Sequence, residues 1–275
     1  MTRFTKLHAT GNDFLVTRAP LTAAQVSAAC ERHRGIGADG VIILGDAEPA
    51  NGADATMLLR NADGVTAEMS GNGIRCLAWV ARRDGLGTED RLVVDTGGGR
   101  RTVELDVDPT TGDVRHATVD MGPVTFDPPA IPITAASPFE LEAEFHGVTY
   151  RGDAAGMGNP HLVLFVDDPD AARVTQHGPH LERDDRFPNR TNVEFVALTA
   201  VDELTVRTWE RGVGETLSCG TGACAAAAVA HRRGLVGTDI VVHELGGDLR
   251  VELTGETIRL GGGVTHVFDV DWAVP

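Results

Sequence analysis

Cys219 and Ser70 each stand just before a Gly-x-Gly turn that opens a helix-forming run, and they lie 149 positions apart (219 − 70 = 149). The two stretches read ETLSCGTGACAAAAVAHRRGL and AEMSGNGIRCLAWVARRDGL, and the same offset sets Gly220 over Gly71, Gly222 over Gly73, Gly234 over Gly85 and Leu235 over Leu86. Glycine permits backbone conformations that other residues resist, and the first N–H groups of the following helix have no partners within it. Such an end carries partial positive charge. A carboxylate would rest there, with the thiol of Cys219 or the hydroxyl of Ser70 aimed at the same spot. Two facing copies would hold one anionic group between two helix ends with a side chain on either side, an arrangement for symmetric chemistry on a small acid. A single Gly-x-Gly before a helix is a weak signal, and Ala225 to Ala230 suits a closely packed core helix equally well. Two copies at one offset favour function.

The elements that must position these residues follow from turn and strand signals. Short strands are expected at Phe4 to Leu7 and Asn12 to Thr17, then a helix from Ala23 to His33 capped by Thr22. Strands at Val41 to Leu44 and Thr56 to Asn61 lead through Ala62-Asp63-Gly64 into the first Gly-x-Gly helix, and RLVVDT, RTVELDV and RHATVDM follow it. The proline-rich run of residues 122–138 reads as the crossing between halves. Gly158-Asn159-Pro160-His161 then leads into LVLFV as Gly11-Asn12-Asp13-Phe14 leads into its strand, at the similar offset of 147 (158 − 11 = 147). Strands at Thr191 to Leu198 and Leu204 to Glu210 precede the second Gly-x-Gly helix. The tail adds strands near Asp239 to His243, Leu249 to Leu253, Thr257 to Leu260 and Thr265 to Val270. Helices rich in small and apolar residues belong inside curved sheets rather than on a wet face. The expected fold is therefore α+β, with two pseudo-symmetric halves, each a curved, mainly antiparallel sheet or barrel wrapped around a central helix. The first half takes residues 1–119 and a returning strand at about 265–275, the second takes 120–264, and the active site is expected in the cleft between them.

Composition narrows the functional classes. A chain of 275 residues can bury a sizeable core. Its net charge of −16 disfavours nucleic acid or an anionic membrane as partner. The start, MTRFTKLHATGNDF, lacks the apolar core of a secretion signal, and no run approaches the roughly 20 apolar residues that span a bilayer. The expected location is the cytoplasm. Cysteines at 30, 76, 219 and 224 show no paired metal spacing, so Cys30, Cys76 and Cys224 read as packing residues.

The ordered set GNDF (Gly11 to Phe14), GIGADG (Gly35 to Gly40), NADG (Asn61 to Gly64), GNGIRC (Gly71 to Cys76), MGNPH (Met157 to His161), TNVEF (Thr191 to Phe195) and ERGVGET with SCGTGACA (Glu210 to Ala225) resembles the diaminopimelate epimerase family along the whole chain. The resemblance implies a pyridoxal-independent enzyme that interconverts LL- and meso-diaminopimelate in lysine and peptidoglycan precursor synthesis, and it suggests a homodimer. Inverting an α-carbon means removing a proton from one face and returning one to the other, so two acid/base groups must flank it. A thiol has a pKa of about 8.5, and a helix N-terminus or suitable neighbours can bring it towards working pH. Charge building on the substrate carboxylate would fall on backbone N–H groups at Gly71-Asn72 and Gly220-Thr221. No metal or cofactor is demanded.

By that resemblance Cys219 is one catalytic position with Glu210 as its neighbour, and Ser70 the other with His161. Asn12, Asn61, Asn159, Asn192 and Arg211 match positions that hold the substrate, and the planar donors of Arg211 suit a carboxylate. Taken singly, each asparagine reads as a turn or cap residue. Two positions depart from the pattern, Gly40 in place of a glutamine and Ser70 in place of the first of two cysteines. A serine hydroxyl is far harder to ionise than a thiol, so proton transfer at Ser70 should be slower. Ser70 is compatible with an engineered replacement, with a natural variant that still inverts its substrate, or with a relative of different chemistry. A racemase of another amino acid and an inactive diaminopimelate-binding relative remain the alternatives.

Overall fold

The computed structural model describes residues 1–48, 52–88, 90–273 and 275, and it forms two compact units: Met1–Asp120 with Gly261–Pro275, and Met121–Leu260. Among the described residues no helix is long and apolar enough to cross a membrane.

In the first unit Thr2–Ala9 pairs antiparallel with both Asn12–Thr17 and Thr265–Trp272. Asn12–Thr17 runs parallel to Gly40–Asp46, which pairs antiparallel with Ala55–Asn61, itself parallel to Arg91–Thr96. Helix α1 (Ala23–Cys30) begins at Thr22, whose hydroxyl accepts the Gln25 N–H while the Gln25 side chain returns to the Thr22 N–H. It ends three residues short of the expected His33. Glu31 is extended there, with ψ 122°, and its carboxylate takes the N–H groups of His33 and Arg34, drawing the chain out of the helix. Helix α2 (Gly71–Arg83) is buried from Gly71 through Ala81 and packs against Thr2–Ala9, Asn12–Thr17, Gly40–Asp46, Ala55–Asn61 and Gly99–Val107. Its buried Arg75 and Asn72 pair with one another, Arg75 Nη2 donating to Asn72 Oδ1 at 2.8 Å, so the helix can be enclosed by sheets although it is not apolar on every side. Its last turn carries Arg82 and Arg83 against the negative helix end.

The second unit repeats the order. Val148–Gly156 pairs antiparallel with Pro160–Phe165, which is parallel to Asn192–Ala200; that strand is antiparallel to Glu203–Glu210, in turn parallel to Asp239–Glu244. Helix α4 (Gly220–Arg232) is buried from Gly222 through Ala230 and packs on all of these strands and on Gly247–Leu253. A third helix, α3 (Val174–Leu181), was not expected from the sequence: it contains Pro179, and its N-cap Arg173 makes no side-chain cap bond. The proline-rich run also proves to be more than a crossing, because Ile131 and Ile133 join Tyr150, Leu162, Leu164, Val193 and Phe195 in the core of this unit. Each such side chain contributes roughly 1.5–3 kcal/mol by leaving water.

Candidate active site

Cys219 is the N-cap of α4, with φ −126° and ψ 98°, and its sulfur makes no cap bond to the helix backbone. The chain is pinned behind it instead. The Cys219 N–H donates to both oxygens of Glu244, at 3.0 and 3.2 Å, and the Ser218 hydroxyl donates to the same carboxylate. Cys219 Sγ lies 3.7 Å from Thr221 Oγ1, itself 3.4 Å from Asn159 Nδ2. Glu210, at the end of its strand, accepts a 2.6 Å hydrogen bond from the Thr216 hydroxyl and is near enough to Cys219 for each to act on the other's ionisation. Gly222 is what lets these groups meet, since a Cβ there would come within 2.8 Å of Glu194 Oε1 and 3.2 Å of Cys219 Sγ.

His161 and Glu194 are both fully buried, with His161 Nδ1 2.7 Å from Glu194 Oε1 and Nε2 2.9 Å from Asn159 Oδ1. Asn192 uses its other neighbours. Its Nδ2 donates to the Pro160 carbonyl at 3.0 Å, its Oδ1 accepts the Arg211 N–H at 2.9 Å, and the exposed Arg211 guanidinium donates to the Asn189 carbonyl at 3.2 Å.

Electrostatics around the thiol run opposite to the sequence expectation. Burial, and then the charges of Glu210, Glu194 and Glu244, push the Cys219 thiol well above its ordinary range. A helix end supplies only about half a unit charge, and three carboxylates outweigh it. Burial also raises the Glu210 carboxyl, as does the charge of Glu194. The result is a protonated thiol beside a carboxyl of weakened acidity.

In the first unit Ser70 occupies the matching place as N-cap of α2, but its Oγ accepts the Gly73 N–H at 3.1 Å. Asn72, buried in the first turn, accepts from Arg75 Nη2 at 2.8 Å and donates to Asn12 Oδ1 at 3.4 Å, while Asn12 Nδ2 donates to Asp39 at 2.7 Å. Asn61 is exposed at the end of its strand, opposite Gly40. The repeat offsets set Phe14 against His161 (161 − 14 = 147) and Asn61 against Glu210 (210 − 61 = 149). Cys219 therefore has titratable neighbours in its own unit at places where the Ser70 unit has Phe14 and Asn61. The structure brings together Cys219, Glu210, Asn159, His161 and Thr221 in the second unit, and Asn12 with Asn72 in the first. Glu194, Thr216 and Glu244 join the site without being singled out by residue type and spacing. Glu194 was visible as an acidic residue inside the apolar strand VEFVAL.

Solved structures share the fold. A hydroxyproline epimerase from Agrobacterium vitis matches with TM-score 0.74 at 17% identity, covering 98% of this chain and 91% of that one. A PhzF-family phenazine biosynthesis protein from Bacillus anthracis matches with TM-score 0.72 at 15% identity over 99% of both chains. At those identities the likeness is one of fold, an α+β fold. The sequence pattern of diaminopimelate epimerase matches residues 4–126 and 154–267. Diaminopimelate epimerases of Pelotomaculum thermopropionicum and Xanthomonas axonopodis pv. citri are 39% and 40% identical to it, over 98% of this chain in both cases and 98% and 96% of theirs. The chain belongs to the diaminopimelate epimerase family and is an isomerase.

Proposed function

We propose that the protein interconverts LL- and meso-diaminopimelate by proton transfer at one α-carbon, with Cys219 serving one face and Ser70 holding the place of the second acid/base. The observation that carries this is the Cys219 thiol: buried on a helix end, free of the cap bond, and beside Glu210, a carboxyl able to exchange its proton. In the resting state Cys219 is a thiol and so a proton donor. To act as a base it must first lose that proton, and Glu210, raised above an ordinary carboxyl, is a suitable acceptor. The surrounding carboxylates favour a cation. A substrate α-ammonium would offset their charge and bring the thiol down towards working pH. As the α-proton leaves, charge on the substrate carboxylate would fall on the N–H groups of Gly220-Thr221 and of Gly71-Asn72.

Asn12, Asn61, Asn159, Asn192 and Arg211 would orient the substrate, Arg211 through the carboxylate at the end that is not inverted. The Ser70 hydroxyl ionises far less readily than a thiol, so the chain is an impaired epimerase in this reading. The family resemblance supports a cytoplasmic homodimer acting in lysine and peptidoglycan precursor synthesis, with no cofactor. The test is to incubate the chain, Ser70→Cys and Cys219→Ala with LL-diaminopimelate and resolve the products. Conversion to the meso isomer is expected with Ser70→Cys, more slowly with the chain itself, and not with Cys219→Ala. Racemisation of glutamate or histidine with diaminopimelate untouched would replace this reading with that of a mono-amino-acid racemase.

A further inference from the structure

Glu182 has no part in the chemistry above, yet it touches the residues on both sides of Glu210 and Arg211. It is the C-cap residue of α3 and is buried, 4% exposed. Its Oε2 accepts the indole N–H of Trp209 at 2.8 Å, and its Oε1 accepts the backbone N–H of Gly212 at 3.1 Å, with Arg190 Nη1 3.4 Å away. Trp209 directly precedes Glu210, and Gly212 directly follows Arg211. The Glu182 carbonyl also accepts the Thr191 N–H at 3.0 Å, beside Asn192, whose side chain holds the Arg211 N–H.

The turn is closed by the Val213 N–H donating to the Glu210 carbonyl at 3.1 Å, and it depends on two glycines in the left-handed region. Gly212 has φ +77° and Gly214 φ +115°, backbone that glycine adopts without strain and that other residues resist. Helix α3 lies flat on it, because a Cβ at Gly178 would meet the Trp209 ring at 2.6 Å. A carboxylate held by two N–H donors away from water makes charge-assisted bonds, about twice as strong as neutral ones. Both oxygens are used, so an amide of the same shape could accept only one of the two donors.

We propose that Glu182 is a positioning residue: it fixes the Glu210–Gly212 turn and, through Arg211, sets the preference for a substrate with a second carboxylate. The second clause rests on the reading that Arg211 faces that carboxylate. Glu182→Gln removes one acceptor at constant shape, Glu182→Asp keeps both but shortens their reach, and Trp209→Phe removes the indole donor while leaving a ring against Gly178. Two readouts need no turnover. One is amide hydrogen exchange at Arg211 and Gly212, followed by NMR; the other is calorimetric binding of LL-diaminopimelate and of lysine, which lacks the second carboxylate. Glu182→Gln is expected to speed exchange at both amides by about tenfold or more and to weaken diaminopimelate binding by a similar factor, with lysine binding unchanged, and Glu182→Asp should fall between. A variant that only melts at lower temperature, with its preference for diaminopimelate over lysine intact, overturns the proposal. If Glu182→Gln does not fold, Trp209→Phe decides by the same preference, which is expected to fall. If the unaltered chain binds diaminopimelate no better than lysine, the reading of Arg211 has failed, and unchanged exchange at Arg211 and Gly212 in the variants then overturns the clamp as well.

Discussion

Ser70 and Cys219 occupy the same place on two helices and use it differently. Ser70 caps α2 by accepting the Gly73 N–H, whereas the Cys219 sulfur leaves its helix uncapped and faces Thr221 and Glu210. Serine is among the best N-cap residues and its loss to alanine costs about 1 kcal/mol. Ser70→Ala should therefore lower stability by about that amount in urea unfolding, and Ser70→Cys should lower it while raising the rate of epimerisation. A Ser70→Cys variant that is both more stable and no faster would remove the trade between cap and catalyst. Cys219 makes a second prediction through its protonation. Burial and three carboxylates raise it above 9.0, so the folded chain keeps a proton that the unfolded chain releases near that pH. The stability tied to this proton is fully present below 9.0 and falls as the pH rises past it. Iodoacetamide should accordingly label Cys219 more slowly at pH 8 than it labels free cysteine, and rapid labelling would contradict the raised thiol. Residue types and spacing revealed Cys219 and Ser70 because the repeat marked them. Glu244 and Thr216 were not legible, since their meaning lies in distances that only folding creates.

At the scale of elements, the two buried helices followed from the sequence because small residues and Gly-x-Gly turns recur at one offset. Helix α3 was hidden. Its cap lacks a polar side-chain bond and Pro179 sits inside it, although it falls at the repeat position of α1 (174 − 23 = 151). The His161 pairing was also illegible, because parallel pairing of Pro160–Phe165 with Asn192–Ala200 brings together residues 33 apart. Gly222 shows how an element serves the site. Alanine would gain about 1 kcal/mol of helix propensity there. Its Cβ would press on Glu194 Oε1, which is fixed by His161, so Gly222→Ala should instead destabilise by about 1–3 kcal/mol and reduce activity, measured by unfolding and turnover together.

Over the whole molecule, the charge of −16 acts on stability without choosing the fold. Screening shortens to about 10 Å at 0.1 M salt, so the melting temperature should rise between low salt and several hundred millimolar sodium chloride. On the acid side, burial alone would raise Asp13, but hydrogen bonds from Arg32 and Lys6 prevail and hold it at about 2, below its ordinary 3.8. Its contribution is present above 3.8 and is lost as the pH falls towards 2, so Asp13→Asn should flatten that limb of the stability curve. Fold and family were legible because the pattern runs the length of the chain, whereas the raised thiol needed carboxylates drawn from three separate elements. The decisive experiment for the proposed chemistry is α-hydrogen exchange in D₂O with LL- and meso-diaminopimelate supplied separately. Ser70→Cys should take up deuterium and invert both isomers, while the unaltered chain does so slowly or with one isomer only. Absence of exchange and inversion in both proteins would contradict proton transfer from Cys219 at this substrate.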